Sequence, residues 1–269
     1  MAQDELKRVS LQGSLSHLFI ILTGLHRLPG QFKGKWGKPG PPQISFVHFD
    51  CDYGYYQEHR DMDFGAYIFV MVISYMLGAT PSGYLVGRAR GIDVRSAGSG
   101  NIGATNVVRV LGKPAGTIVL VADALKGFVS ARFVPLLAMH VFPPAAATRE
   151  NLALAAGVAA IFGHIYTCWL KFKGGKGIAT SGGVVLAWAP LACLIAVAVW
   201  GLVLAISRYV SMASIAAAIV LPFAVWLCNG TLTMSLAMTG LSLLAIYKHK
   251  ANIQRLLTGA ERRIGKKET

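Results

Sequence analysis

Charge is scarce in this chain. Only 14% of its 269 residues are Asp, Glu, Lys or Arg, while 54% are hydrophobic. Soluble domains carry about 25% charged residues. Such depletion over this length excludes an ordinary soluble fold and points to a membrane protein. Acids are scarcer than bases: 12 Asp and Glu stand against 26 Lys and Arg, a net charge of +14. Cysteine is also sparse. Cys51, Cys168, Cys193 and Cys228 are scattered without a C-x-x-C pair, which excludes a disulfide framework and a zinc site. No aromatic-basic module is present, so the positive charge is not read as a nucleic-acid surface. No G-x-x-x-x-G-K-[ST] occurs, which excludes a P-loop.

Long apolar runs are what the chain does have. From Phe64 onward there are seven, at 64–87, 114–139, 151–170, 178–189, 190–206, 213–229 and 232–247. A membrane-crossing helix needs about 20 residues. The fourth run is short, and its boundary with the fifth falls at Ala189-Pro190, where proline suits a helix start. Arg88, Arg90, Arg95, Arg109, Lys113, Lys171, Lys173, Lys176 and Arg208 fall in one set of connections, together with a basic C-terminal tail. The other connections offer only Arg149. Because Lys and Arg concentrate in cytoplasmic loops, the sequence predicts an all-α integral membrane protein. It is read as a seven-transmembrane-helix bundle with its N-terminus outside and its C-terminus cytoplasmic. Residues 1–62 differ. LSHLFIILTGL (15–25) is too short to span about 30 Å of hydrocarbon, and the stretch fits a secretory signal poorly. They are expected to form a poorly ordered, dispensable extension, explained most simply by an upstream start choice. Residues 63–269 form the membrane domain.

The unusual polar sequences share the predicted cytoplasmic face: SAGSGNIGATNVVRVLGK (96–113), KFKGGKG (171–177), SRYVSMAS (207–214) and YKHKANIQRLLTGAE (247–261). Glycine lets a backbone approach an anion, successive N–H groups form nests, and Lys and Arg supply charge. The constellation is suited to phosphate. Gly98, Gly100 and Gly103 fit G-x-G-x-x-G, but a dinucleotide fingerprint belongs between a strand and a helix. Here it follows an apolar span. Asp123 lies inside an apolar run, three residues from Lys126, so the two share a helix face. They are read as structural partners, with a functional role left open. His164 is equally open between a core histidine and a functional one.

GSGNIGATN, GH with FKGGKG, and HKANIQRLLTGAE resemble, in order, the three signatures of the bacterial acyl-phosphate:glycerol-3-phosphate acyltransferases, the PlsY family. The resemblance covers about Phe64 to Glu261. It implies transfer of an acyl group from acyl phosphate to the 1-hydroxyl of sn-glycerol 3-phosphate in the bacterial inner membrane, with the active site facing the cytoplasm. It implies no metal and no cofactor. Its partners are the two substrates and membrane lipids. Matched position by position, Ser99, Gly100 and Asn101 belong to the first phosphate-contacting loop, and Arg109 to the grip on glycerol 3-phosphate. Gly174, Gly175 and Lys176 belong to a second anion-binding turn. Ser214 faces the acyl phosphate, and His249 and Asn252 order the glycerol phosphate. Ser99, Lys176 and His249 are the expected catalytic residues. Two positions depart from the family: Ala251 stands where an acid is common, and Thr167 where a proline is common.

No nucleophile–base–acid triad is visible, so direct attack by the substrate hydroxyl is expected. Either His249 or the donor's own phosphoryl oxygen takes the proton, the latter preferred. An acyl-CoA-dependent mechanism built on H-x-x-x-x-D is disfavoured, because no histidine has Asp five residues later. A transporter of a phosphorylated solute is the alternative. Transporters bind near the midplane between repeated halves, whereas here the anion ligands lie in loops on one face and no repeat is found.

Overall fold

A computed structural model describes residues 53–142, 148–229 and 231–264. The chain divides into Met1–Phe49 and Asp50–Thr269, and all described residues belong to the second unit. The expected extension therefore lies outside the described residues up to residue 52. From Tyr53 the backbone is helical, nine residues before the boundary expected at Met62.

The described residues contain eleven α-helices and no strand. Helix α1 (Tyr53–Ala79) stops before Pro81, and α2 (Ser82–Arg88) follows. Proline disfavours helical backbone in the residue before it, which accounts for the interruption at Thr80. Past a basic loop come α3 (Ala104–Leu111), α4 (Lys113–Arg132) and α5 (Val134–Val141), the last two each opening on a proline. Helix α6 (Arg149–Ile165) is capped by the Thr148 hydroxyl, which accepts from the Asn151 N–H at 3.2 Å. A 3₁₀ turn (Cys168–Leu170) leads to α7 (Ile178–Trp188), α8 (Pro190–Ser207), α9 (Val210–Asn229), α10 (Leu232–Lys248) and α11 (Lys250–Leu257).

The seven apolar runs are largely helical, but 64–87 breaks at Thr80–Pro81, 114–139 at Phe133 and 151–170 at Tyr166–Thr167, and the chain also breaks at Ala189, with φ −142° and ψ 75°. Among the described residues, four stretches are long and apolar enough to cross a membrane: Asp63–Arg88, Arg149–Leu170, Pro190–Ser207 and Val210–Cys228. Helix α7 is apolar but has 11 residues, about 16 Å at 1.5 Å per residue. Helix α10 has 17.

The burial pattern is that of a protein solvated by lipid. Helix α8 has a mean hydropathy of 2.4, yet only 11% of that span is buried. Leu194, Leu202 and Ile206 point outward. The inward stripe of α4 consists instead of small and polar residues, Ala115, Val119, Asp123, Gly127 and Ser130. Small residues let membrane helices approach closely. A Cβ at Gly127 would strike the Thr180 carbonyl, and one at Gly183 the Ala124 carbonyl, so α4 and α7 are in backbone contact. Gly78 and Gly163 bring α1 against α6 in the same way. The Thr167 hydroxyl donates to the Ala79 carbonyl at 2.5 Å. It ties the end of α6 to the end of α1, a bond proline could not make.

Candidate functional site

A cavity of about 720 Å³ is bounded by α3, α4 and α7–α11. Ser99, Asn101, Arg109, Lys176, Ser214, His249 and Asn252 all border it. Residues spread over more than 150 positions are thus gathered at one polar end. Much of the remaining wall is apolar, including Leu120, Val121, Leu125, Phe128, Leu186 and Trp200. Leu120, Val121 and Leu125 line it and are about half exposed, so the cavity is open rather than enclosed along α4.

The first loop is shaped by positive φ and held by one amide. Gly98 (φ 61°) and Gly100 (φ 71°) adopt left-handed backbone, which glycine takes without steric cost. The buried Asn106 accepts the Ser99 N–H at 2.7 Å and donates to the carbonyls of Val94 at 2.9 Å and Ala97 at 3.1 Å. Ser99 is thereby presented at the cavity mouth. The Asn101 carbonyl oxygen accepts the Gly103 N–H at 2.8 Å, so that oxygen serves the loop. Gly100 does not border the cavity. Its N–H closes a turn on Ala97 at 3.1 Å.

The second turn differs from expectation. Gly174 and Gly175 do not form an open nest. Their N–H groups donate to the carbonyls of Ile165 at 3.0 Å and His164 at 3.1 Å. A Cβ at Gly174 would strike the His164 carbonyl, and one at Gly175 the His164 ring. Glycine is required there for close approach to the end of α6. Lys176, the next residue, projects into the cavity.

The Lys176 ammonium donates to the Asn252 side-chain oxygen. The Asn252 amide donates to Glu261 Oε1 at 2.8 Å, Ser211 Oγ donates to the same oxygen at 2.8 Å, and Arg255 Nε donates to Glu261 Oε2 at 2.7 Å. Three bonds to a buried carboxylate fold the C-terminal segment against α9 and α11. Burial alone would raise the Glu261 pKa, but the bonds from Arg255, Asn252 and Ser211 outweigh it and hold the pKa below the usual carboxylate value. Burial pushes the Lys176 ammonium down to about 8; Glu261 opposes this, while the charges of Arg255 and Arg109 add to it. Burial, and then the Lys176 charge, lower His249 to about 4. Its Nδ1 lies 2.7 Å from the Ala245 carbonyl. A carbonyl only accepts, so Nδ1 carries the proton of the neutral ring and Nε2 is left as an acceptor. Ser214 Oγ accepts from Trp200 Nε1 at 3.3 Å. Lys171 and Lys173 are exposed, and so is Ala251, whose missing acid leaves no hole in the packing.

Sequence reasoning missed Asn106 and Glu261. Both had a signal: Asn106 is the buried-type amide inside the glycine motif, and Glu261 is the one acid in the last polar segment. Asp123 and His164, left open above, both border the cavity.

The arrangement can hold a multiply charged anion at one end and a hydrocarbon chain along the other. Comparison with known proteins agrees with that division. Residues 68–259 match the family described as Glycerol-3-phosphate acyltransferase. The chain is 43% identical to a glycerol-3-phosphate acyltransferase of Geobacillus kaustophilus over 196 residues, 72% of this chain and 94% of that one. It is 47% identical to the enzyme of the same description from Desulforudis audaxviator over 199 residues, 74% and 96% of the two chains. Among solved structures it is similar to PlsY (YgiH), an integral membrane glycerol 3-phosphate acyltransferase, in its glycerol 3-phosphate form. The TM-score is 0.66 with 37% identity, over 74% of this chain and 96% of that one. The lysophosphatidic acid form of PlsY gives 0.64 at the same identity.

Proposed function

The chain belongs to the glycerol-3-phosphate acyltransferase family, and we propose on that premise that it acylates the 1-hydroxyl of sn-glycerol 3-phosphate from acyl phosphate. The products are lysophosphatidate and orthophosphate. The observation that carries this reading is the single cavity that joins a cationic cluster to an apolar wall open along α4. Both substrates carry a phosphate, and one carries a long hydrocarbon chain. Arg109, Lys176 and the Ser99 loop hold the two phosphates side by side, which contributes proximity. The acyl chain lies along Leu120, Leu125 and Leu186.

The substrate hydroxyl attacks the acyl carbon directly. A new ester C–O bond forms, the acyl–phosphate C–O bond breaks, and the electron pair leaves with orthophosphate. Lys176 stabilises the charge growing on that leaving group. A histidine whose conjugate acid has a pKa of about 4 is a weak base. The phosphoryl oxygen therefore takes the proton of the attacking hydroxyl, while His249 Nε2 accepts a hydrogen bond from the other hydroxyl of glycerol 3-phosphate and so orients the molecule.

The helices make seven crossings of the bacterial inner membrane, starting outside and ending in the cytoplasm, with the cavity's polar end facing the cytoplasm. The support is the one-sided distribution of Lys and Arg. Residues 1–62 are dispensable for the reaction, since relatives that align over 94–96% of their own length match only 72–74% of this chain.

The test is to supply purified protein in lipid with glycerol 3-phosphate and either acyl phosphate or acyl-CoA. Lysophosphatidate is expected from acyl phosphate alone. Product from acyl-CoA would refute the donor assignment, and product from neither would favour the transporter reading.

A further inference from the structure

Three ionisable side chains are buried together against the second turn, and two of them, Asp123 and His164, border the cavity. Asp123 and Lys126 lie one turn apart on α4, with side chains only 4% and 8% exposed, and form an ion pair at 2.9 Å. Lys126 also donates to the Thr80 carbonyl at 2.8 Å, at the break between α1 and α2. The ring of His164, 5% exposed, presents Nδ1 to Asp123 at 3.6 Å. Its opposite edge, Nε2, lies against Gly175, where a Cβ would strike it. The His164 carbonyl accepts the Gly175 N–H at 3.1 Å. Ionisable groups are costly inside a membrane and are placed there for function. The His164 ring stands directly against Gly175, the residue that precedes Lys176.

We propose that His164 is a positioning residue for Lys176, its ring held from below by the Asp123–Lys126 pair and supporting the Gly174–Gly175 turn from beneath. The inference rests on the functional reading above, in which Lys176 faces the departing phosphate. The physical chain is continuous: Thr80 and Lys126 fix Asp123, Asp123 faces one edge of the His164 ring, and the other edge sets the height of Gly175. Lys176 follows in sequence and reaches Asn252. A substituent that lets the turn sink displaces the ammonium from the phosphate. Misplacement of a catalytic group by about 1 Å costs up to about a hundredfold.

A double-mutant cycle tests this. His164→Ala in the full-length protein should lower turnover by about ten- to a hundredfold, while the KM for glycerol 3-phosphate changes little. In a Lys176→Ala background the same change should cost no more than about twofold, because residues that act through one another are not additive. Two further substitutions read the ring edges separately. His164→Gln places an amide near the Nε2 position and should keep most turnover. His164→Asn places one near Nδ1, facing Asp123, and should lose turnover as His164→Ala does. Additive losses in the cycle, or Asn performing as well as Gln, would overturn the proposal, since a group that only fills space beneath the turn predicts neither pattern. Absence of product from the wild-type protein would remove the functional reading and this inference with it. Additive losses against an active wild type would remove the inference alone.

Discussion

The loop 96–103 and the turn 173–177 are both glycine-rich and both border the cavity, but glycine serves a different purpose in each. In the first, Gly98 and Gly100 have positive φ, and an asparagine side chain from α3 holds the resulting curve. In the second, Gly174 and Gly175 have ordinary backbone but sit against α6, with their N–H groups engaged by carbonyls. A run of glycines beside a lysine is therefore not by itself an anion nest. Gly98 and Gly100 are required chiefly by backbone conformation, and Gly174 and Gly175 by distance, while Gly177 at the end of the second turn again has positive φ, 85°. The two respond differently to an added methyl group.

Gly175→Ala should have the largest effect. The new Cβ meets the His164 ring and the backbone cannot retreat without releasing two hydrogen bonds. Overpacking costs about 1–3 kcal/mol, and here it displaces Lys176. Turnover should fall by about a hundredfold or more, with protein still present in the membrane. Gly100→Ala meets only the Arg95 carbonyl at 3.1 Å, at φ 71°. Left-handed backbone costs a non-glycine residue about 1–2 kcal/mol, so thermal stability should drop while turnover stays within about tenfold. Equal losses of turnover in the two variants would erase the distinction.

The cations come next. Arg109→Ala and Lys176→Ala each remove a charge-assisted contact worth about 1.5–3 kcal/mol, roughly ten- to a hundredfold. Arg109→Ala should act mainly on the KM for glycerol 3-phosphate, and Lys176→Ala on turnover as well. Burial places the Lys176 pKa at about 8, below its ordinary 10.5. The charged form is the one that binds phosphate, so it is present below that value and lost above it. The kcat/KM, which reports the free enzyme, should fall as pH rises through about 8. Lys176→Arg should move that limb above the measured range. An unchanged alkaline limb in Lys176→Arg would show that another group sets it.

Asn106 sharpens the account of the first loop. It makes three hydrogen bonds from a buried position, and leaving their partners unsatisfied costs about 1–3 kcal/mol. Asn106→Ala should lower kcat/KM by about tenfold. Asn101→Ala, which frees only the Gly103 N–H, should cost about threefold, the lower end for a single bond. The reverse order would mean that Asn101 contacts substrate and that Asn106 is replaceable.

Most of the helical architecture was legible in the sequence because apolar runs and prolines act locally. The seven runs are largely helical, and the break at Ala189-Pro190 falls where proline requires a start. Seven of the expected site residues, Ser99, Asn101, Arg109, Lys176, Ser214, His249 and Asn252, border one cavity, and they stand in the few polar connections of an apolar chain. What the sequence could not reveal were relations across space. Gly175 lies next to His164 in the fold but eleven positions away in the chain. Glu261 gathers Ser211, Asn252 and Arg255 from two helices. Asp123 meets His164 only because α4 packs beside α6. Local pattern specifies which residue types are present, whereas the duty of each backbone N–H depends on what packs against it.

His249 should show the smallest loss of turnover, and its substitution decides who takes the proton. The Ala245 carbonyl fixes the ring with its proton on Nδ1, and burial beside Lys176 keeps it neutral down to about pH 4. Nε2 is thus an acceptor at neutral pH, able to hold the non-reacting glycerol hydroxyl but poorly matched to remove the proton of the attacking one. General bases work best with a pKa near the operating pH. On this account His249→Ala raises the KM for glycerol 3-phosphate, while turnover at saturation falls by less than about tenfold, the loss of one hydrogen bond of about 0.5–1.5 kcal/mol. The pH dependence of turnover should keep the same shape in wild type and variant, because any limb near pH 6 then belongs to the substrate phosphates. If imidazole is the base, turnover falls by about a hundredfold or more and a limb present in wild type disappears. The measurement is turnover against pH at saturating glycerol 3-phosphate for both proteins. A hundredfold loss together with a vanished limb would transfer the proton from the phosphoryl oxygen to His249, and would require substrate binding to raise the histidine pKa well above its value in the empty cavity.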